Sequence, residues 1–142
     1  MISYFDTSAL VKSYVEEDGS DDVRQLLLDT LPATSRLTGI ELASSVARRC
    51  REGDLSQTDR DQILSDARED LTALYVVELT PDVEETAQEL LFRHSLRAAD
   101  ATHLASCVVL REHMGVPMRF IAYDRRLLDA AVGDGLETFG KP

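Results

Sequence analysis

Short β-rich runs alternate along this chain with longer helical patterns, and that alternation leaves few folds open. Ile2–Phe5, residues 33–37, 75–79 and 118–122, and an edge run at Glu137–Phe139 read as strands. Between the first two, residues 7–15 carry Ala9, Leu10 and Val11 as a helical pattern. After the break at Gly19, Ser20 is placed to cap a helix with Val23, Leu26, Leu27 and Leu31 at helical spacing. Thr38-Gly39-Ile40-Glu41 reads as a capping box opening a helix through Leu42, Val46 and Cys50, which Gly53 stops. Ser56 opens a helix through Ile63, Ala67, Leu71 and Leu74. Thr80-Pro81 opens another through Val83, Ala87, Leu90 and Leu91. Residues 98–113 carry Ala101, Leu104, Ala105 and Val108 and end at Gly115 and Pro117, and residues 124–131 form the last helix. Strands separated by helices pair in parallel through crossovers, so the expected fold is α/β, a three-layer α/β/α sandwich around a short central parallel sheet.

The 142 residues fit one domain, 1–142, large enough to bury a core without staples. Cys50 and Cys107 stand far apart and outside any C-x-x-C pair, which reads as two free thiols in a reducing compartment. No apolar run nears the ~18 residues a membrane helix needs, so a soluble, cytoplasmic protein with no membrane association is expected. G-x-G-x-x-G and G-x-x-x-x-G-K-[ST] are both missing, which excludes the common glycine-rich phosphate loops. The net charge of −11 argues against a general nucleic-acid binder, which would present a basic surface to phosphates.

In open α/β sheets, ligands bind at the carboxyl ends of the strands, so residues just after each strand carry the chemistry. Asp6 follows the first strand and Asp124 the fourth. Glu41 lies in the first turn of the helix after the second strand, and Asp100 in the first turn of a long helix. Each acid alone has a plain structural explanation, because helix N-termini favour carboxylates as caps and as dipole partners. Four together are harder to explain that way. Two carboxylates ~4 Å apart repel by about 4 kcal/mol at an effective dielectric of ~20. Domains are stable by only about 5–15 kcal/mol in all. A hard cation such as Mg²⁺, which takes oxygen ligands and phosphates, gives such a cluster a use.

The motifs Asp6-Thr7-Ser8-Ala9-Leu10, Glu41, Ala98-Ala99-Asp100-Ala101-Thr102-His103-Leu104-Ala105 and Phe120-Ile121-Ala122-Tyr123-Asp124-Arg125-Arg126-Leu127 occur in the order and spacing of PIN-domain ribonucleases. The chain resembles that family from Ile2 to about Leu128, and its length and opening most resemble the VapC-type toxins of bacterial toxin–antitoxin pairs. The resemblance implies hydrolysis of RNA phosphodiesters, leaving a 5′-phosphate, with Mg²⁺ or Mn²⁺. It assigns Asp6 and Asp100 as the direct metal ligands, with Glu41 and Asp124 completing the site. It also implies a cognate antitoxin, with Leu26, Leu27, Leu42 and Val46 as groove candidates, and a homodimer. The family commonly has a hydroxyl residue where this chain has Ala122, which removes a support for Asp124.

Around the acids, Ser8 can reach a metal-bound water or a phosphate, or act only as a first-turn hydroxyl. Arg97 and Arg125 are the candidates for phosphate contact. Arg48, Arg49 and Arg51 read instead as a solvated helix face. His103, one turn after Asp100, reads as a packing or locally hydrogen-bonded side chain, since a metal-bound hydroxide makes a histidine base unnecessary. His94 and His113 have no metal-ligand spacing. Two rivals remain: a degenerate PIN domain that binds a partner or RNA without cutting, and a phosphotransfer or phosphatase domain of similar α/β build. The aspartate phosphatases want a second aspartate where Ser8 stands.

Overall fold

The computed structural model describes residues 1–141. Its strands are β1 (Ile2–Phe5), β2 (Leu31–Ser35), β3 (Tyr75–Val77), β4 (Met118–Ile121) and β5 (Glu137–Phe139). They form one parallel sheet in the order β3-β2-β1-β4-β5. Its helices are α1 (Thr7–Leu10), α2 (Ser20–Asp29), α3 (Leu37–Arg51), α4 (Gln57–Ala73), α5 (Pro81–Arg93), α6 (Ala98–Met114) and α7 (Arg125–Gly133), with a 3₁₀ turn at Val11–Ser13.

Strand alternation puts apolar side chains on both faces of the sheet, which demands helices on both. Tyr4, Ala33 and Phe120 point to one side, where α5, α6 and α7 cover them with Leu90, Leu104, Leu127 and their neighbours. Phe5 and Ile121 point to the other, onto Ala9, Leu10 and Val23. The expected α/β/α sandwich is therefore present. Helix α4 stands apart: it packs on α3, and Ala67 is its one buried residue, meeting Val11 and Leu42.

Successive strands run outward from β1 through β2 to β3, and the chain then returns to place β4 on the other side of β1. The order reverses between β1 and β4, and a crevice opens where connections leave a parallel sheet in opposite directions. Asp6 and Asp124 lie just past those two strands.

Several local readings change. Leu31 belongs to β2, not to the helix before it, and β2 is Leu31–Ser35. The 7–15 helix is one α-turn followed by a 3₁₀ turn. Ser20 is not a cap: its hydroxyl bonds the Val15 carbonyl and accepts from the Glu17 amide, and Gly19 takes the cap position at φ 92°. Thr38 makes no capping box. Its hydroxyl bonds Thr34 at 2.7 Å, and Ser35 accepts from the Leu37 amide. Thr38 is buried, where a strand hydroxyl makes a better partner than a helix-end amide. The Ser56 and Thr80 caps, the proline start at Pro81 and the Gly115 stop are as expected. Both cysteines are free, and burial pushes the Cys107 thiol up to about 12. Among the described residues, no helix is long and apolar enough to cross a membrane.

Candidate active site

Asp6 ends β1 with extended backbone and caps α1. One carboxylate oxygen, Oδ2, accepts from the Ser8 amide at 3.1 Å and the Ser8 hydroxyl at 2.5 Å. Ser8 Oγ in turn accepts from the Tyr123 amide at 3.0 Å, tying the end of β1 to the segment after β4. Its one proton is thus spent on Asp6, and Ser8 orients that carboxylate. Asp124 caps α7 by accepting from the Leu127 amide at 2.9 Å. Both acids are therefore the helix caps their positions suggest. Capping occupies one oxygen of each and leaves the other.

Glu41 is held differently. Its Oε1 accepts from Thr7 Oγ1 at 2.8 Å and from His103 Nε2 at 2.5 Å. His103 is 1% exposed, and its Nδ1 bonds the hydroxyl of Tyr4, which is wholly buried, at 2.9 Å. A carboxylate only accepts, so Nε2 carries a proton. His103 therefore packs and bonds as expected, but its partners lie on β1 and α3, not in its own helix. Burial alone would lower the His103 pKa. The hydrogen bond His103 donates to Glu41 and the charges of Asp6, Glu41 and Asp100 outweigh burial and raise it. Burial likewise works to raise Glu41, and the bonds and charge of His103, with Thr7, bring it below the ordinary range.

These side chains face one open cavity of about 560 Å³, lined by Asp6, Ser8, Glu41, Asp100 and Asp124 together with Thr7, Tyr123 and Arg97. All four predicted acids thus line one space. The Asp100 carboxyl is pushed up, first by burial and then by the charges of Asp6 and Asp124, against Arg97 and His103. Burial is the larger cause, and the neighbouring acids add to it in the same direction. Arg125 does not line this cavity. With Arg126 and Ser95 it lines an adjoining one of about 400 Å³, which shares Arg97, Asp100 and Asp124.

The donor set suits a hard cation: carboxylate and hydroxyl oxygens, no thiolate. Among the described residues, no three such side chains converge tightly enough to hold a metal ion by themselves. Magnesium needs no closed cage, since one or two carboxylates with waters and phosphates suffice. The residues fit the ion in that open manner.

Sequence reasoning missed part of the wall. Lys12, Glu17, Ser44, Ser45, Arg48 and Arg49 all line the main cavity. Ser44, Ser45, Arg48 and Arg49 follow Glu41 at helical spacing on α3, and that periodicity was the available signal. The groove candidates also change: Leu42 and Val46 are 1% and 0% exposed and already packed within the chain. Leu26 and Leu27 are half-buried against the Phe5 core.

A PIN-domain model matches residues 3–133. The chain belongs to the PIN-domain family. It is 37% identical over 135 residues to ribonucleases VapC45 and VapC49 of Mycobacterium tuberculosis, covering 93% of this chain and 90% of each relative. Among solved structures, VapBC2 from Rickettsia felis, bound to a DNA fragment from its promoter, superposes at TM-score 0.70, with 13% identity over the whole of both chains. Mycobacterium tuberculosis VapC20, described as a Sarcin-Ricin loop cleaving toxin, superposes at 0.66, with 22% identity over 90% of this chain and 94% of that one. These two likenesses bear on the fold. The span matched by the PIN-domain family contains all four acids.

Proposed function

We propose that this PIN-domain chain is a metal-dependent endoribonuclease and the toxin of a toxin–antitoxin pair. One observation carries the reading: acids from four separate elements, Asp6, Glu41, Asp100 and Asp124, face a single cavity at the sheet's switch point. The ribonuclease names of the 37%-identical relatives support it. Asp6 and Asp100 would hold Mg²⁺ or Mn²⁺, with Glu41 and Asp124 completing the site directly or through water. When bound, such an ion neutralises the scissile phosphate and acidifies a bound water.

The chain's own residues do the remaining work. Ser8 fixes the orientation of Asp6, and the Leu127 amide fixes Asp124. Thr7 and His103 hold one oxygen of Glu41 and leave the other to the cavity. One of the four acids takes the proton released as water attacks. Arg97 and Arg125 hold phosphate oxygens beside it. The product carries a 5′-phosphate.

The partner is a cognate antitoxin, and the active form is a homodimer. Solved relatives of this fold include toxin–antitoxin complexes, such as the VapBC complex from Rickettsia felis. With Leu42 and Val46 buried, the exposed Leu28 on α2 and Ile40 on α3 are the apolar contacts those helices offer.

The test is digestion of end-labelled RNA with mapped ends, after any co-purified partner is stripped. Wild type should cut in millimolar Mg²⁺ and stop in EDTA, with 5′-phosphate ends. Asp6→Asn and Asp100→Asn should each lower the rate by at least a hundredfold while circular dichroism shows an intact fold. Either variant cutting at the wild-type rate overturns these roles. Wild type that binds RNA and never cuts it would make the chain a binding module.

A further inference from the structure

We infer that Arg48 and Arg49 form a phosphate subsite on the α3 wall of the cavity, gripping the RNA backbone one or two nucleotides from the cleaved bond. The inference rests on the ribonuclease reading and adds to it the path of the strand.

Both arginines follow Glu41 on one face of α3, by seven and eight residues. At 1.5 Å per residue that is about 10–12 Å along the helix axis. Both line the same cavity as the acids. Arg51, the next arginine in the run, is exposed and lines none of the cavities described. The sequence expectation of a solvated face therefore holds for Arg51 and fails for its two neighbours.

The charges on this wall are incompletely matched. Glu17 shares one carboxylate between Lys12, at 3.2 Å, and Arg49, at a long 3.4 Å. Lys12 is otherwise satisfied, with its ammonium on the Asp18 carbonyl at 2.8 Å and over the Tyr123 ring. Arg48 is exposed and makes no ion pair among the described residues. Arg49 Nε is buried with no hydrogen-bond partner. Buried N–H groups without an acceptor are rare in folded proteins. A cation at the last turn of a helix is favoured by the dipole, which accounts for the position of these residues but not for the missing acceptor.

A guanidinium pair with unspent donors matches phosphate oxygens, which it can bind in a two-pronged fashion. Arg97, Arg125 and Arg126 line the adjoining cavity, which shares Asp100 and Asp124 with the first. Basic side chains therefore line both cavities that meet at these acids. A single phosphate needs one wall, whereas a strand threaded past the acids uses both. This also answers how a chain of net charge −11 holds a polyanion: the cations are few and collected along one path.

The test measures binding of a short fluorescein-labelled single-stranded RNA by anisotropy, across a KCl series without divalent ions, in an Asp6→Asn/Asp100→Asn background that cannot cut. For single strands, the slope of log K against log salt falls by about 0.7 for each phosphate that is no longer neutralised. Arg48→Gln/Arg49→Gln should therefore flatten the slope by about 1.4, whereas Arg51→Gln/Arg68→Gln, which removes the same charge elsewhere, should leave it unchanged. Should the double variant misfold, Arg48→Gln alone, an exposed side chain without partners, should flatten it by about 0.7. An unmoved slope, equal losses in both pairs, or no saturable binding at low salt overturns the subsite. Cleavage by the wild-type chain is scored separately on the same RNA. Metal-dependent cutting with an unmoved slope refutes the subsite alone. A flattened slope without any cutting refutes the nuclease reading alone.

Discussion

Replacing His103 by leucine tests the idea that a buried network, and not the helix carrying it, sets the position of Glu41. Leucine fills most of the same space but offers no nitrogen. The Tyr4 hydroxyl, wholly buried, loses its partner at 2.9 Å. A buried hydroxyl left unsatisfied costs about 1–3 kcal/mol. The side chains of Ser35 and Ser106 lie near that hydroxyl and can recover part of it, which points to the lower half of the range. Glu41 loses a charge-assisted bond at 2.5 Å, but its side chain is 31% exposed and water can take the vacated place, so this part adds only ~1 kcal/mol. Together the change should cost about 2–3 kcal/mol, or about 8–12 °C in Tm for a chain of this size.

The measurement is urea unfolding followed by circular dichroism, on His103→Leu, Tyr4→Phe and the double variant. Because both singles break the same bond, the double should cost at least ~1 kcal/mol less than their sum. The pH dependence has a defined sign. His103 in the fold holds its proton more tightly than the ordinary 6.5, so its contribution is complete below pH 6.5 and is lost as pH rises through the folded value. The gap between wild type and His103→Leu should therefore be wider at pH 6 than at pH 9. A cost under ~0.5 kcal/mol, or strict additivity in the double variant, refutes the network.

Two further outcomes follow from the site. Asp100 has a raised carboxyl pKa, so without metal its ionisation weakens the fold as pH rises above about 3.8, and Asp100→Asn should melt higher than wild type at pH 7 in EDTA. In Mg²⁺ the order should reverse: wild type gains about 2.7 kcal/mol at a hundred times Kd, or about 10 °C by differential scanning fluorimetry, and the variant gains little. Gly19 sits at φ 92°, and an added Cβ would lie 2.8 Å from the Tyr123 ring. Gly19→Ala should cost about 2 kcal/mol or more in urea unfolding, as left-handed strain and a clash combine; a neutral result would mean that Tyr123, and Asp124 beside it, can shift freely.

What could be read from the sequence was whatever is decided within a few residues. The cap at Ser56, the Thr80-Pro81 start and the Gly115 stop are contests between a side chain and its own backbone, and periodicity settles them. Parallel pairing followed from alternating elements, and the four acids from the rule that ligands bind at the carboxyl ends of strands, whereas the strand order and its reversal between β1 and β4 come from the structure. Thr38 was misread because another side chain competes for it: Thr34, four residues earlier in β2, offers a buried hydroxyl that the capping-box pattern does not contain. His103 looked self-contained because its partner Tyr4 is 99 residues away. Arg48 and Arg49 looked solvated because a helix's polar face is normally outside. Whether that face borders a cavity depends on how α3 lies against β1 and α1, which composition does not encode.

The plain and the functional explanations of the acids turn out to be compatible, and this bears on how they should be tested. Asp6 and Asp124 cap helices with one oxygen and face the cavity near Asp100. Capping places a carboxylate at the carboxyl end of a strand for local reasons, so the site is assembled from positions the fold already favours. An alanine at either position would lose the cap, at about 1 kcal/mol, together with any role in the cavity, and the two losses could not be told apart. Asparagine caps as well as aspartate and keeps the oxygen that accepts from the helix, while removing the charge. If Asp6→Asn melted like wild type in EDTA yet neither cut RNA nor gained stability in Mg²⁺, the two roles would be separated at one residue. An Asp6→Asn variant that unfolded would show instead that the charge, not the cap, holds the end of β1 in place.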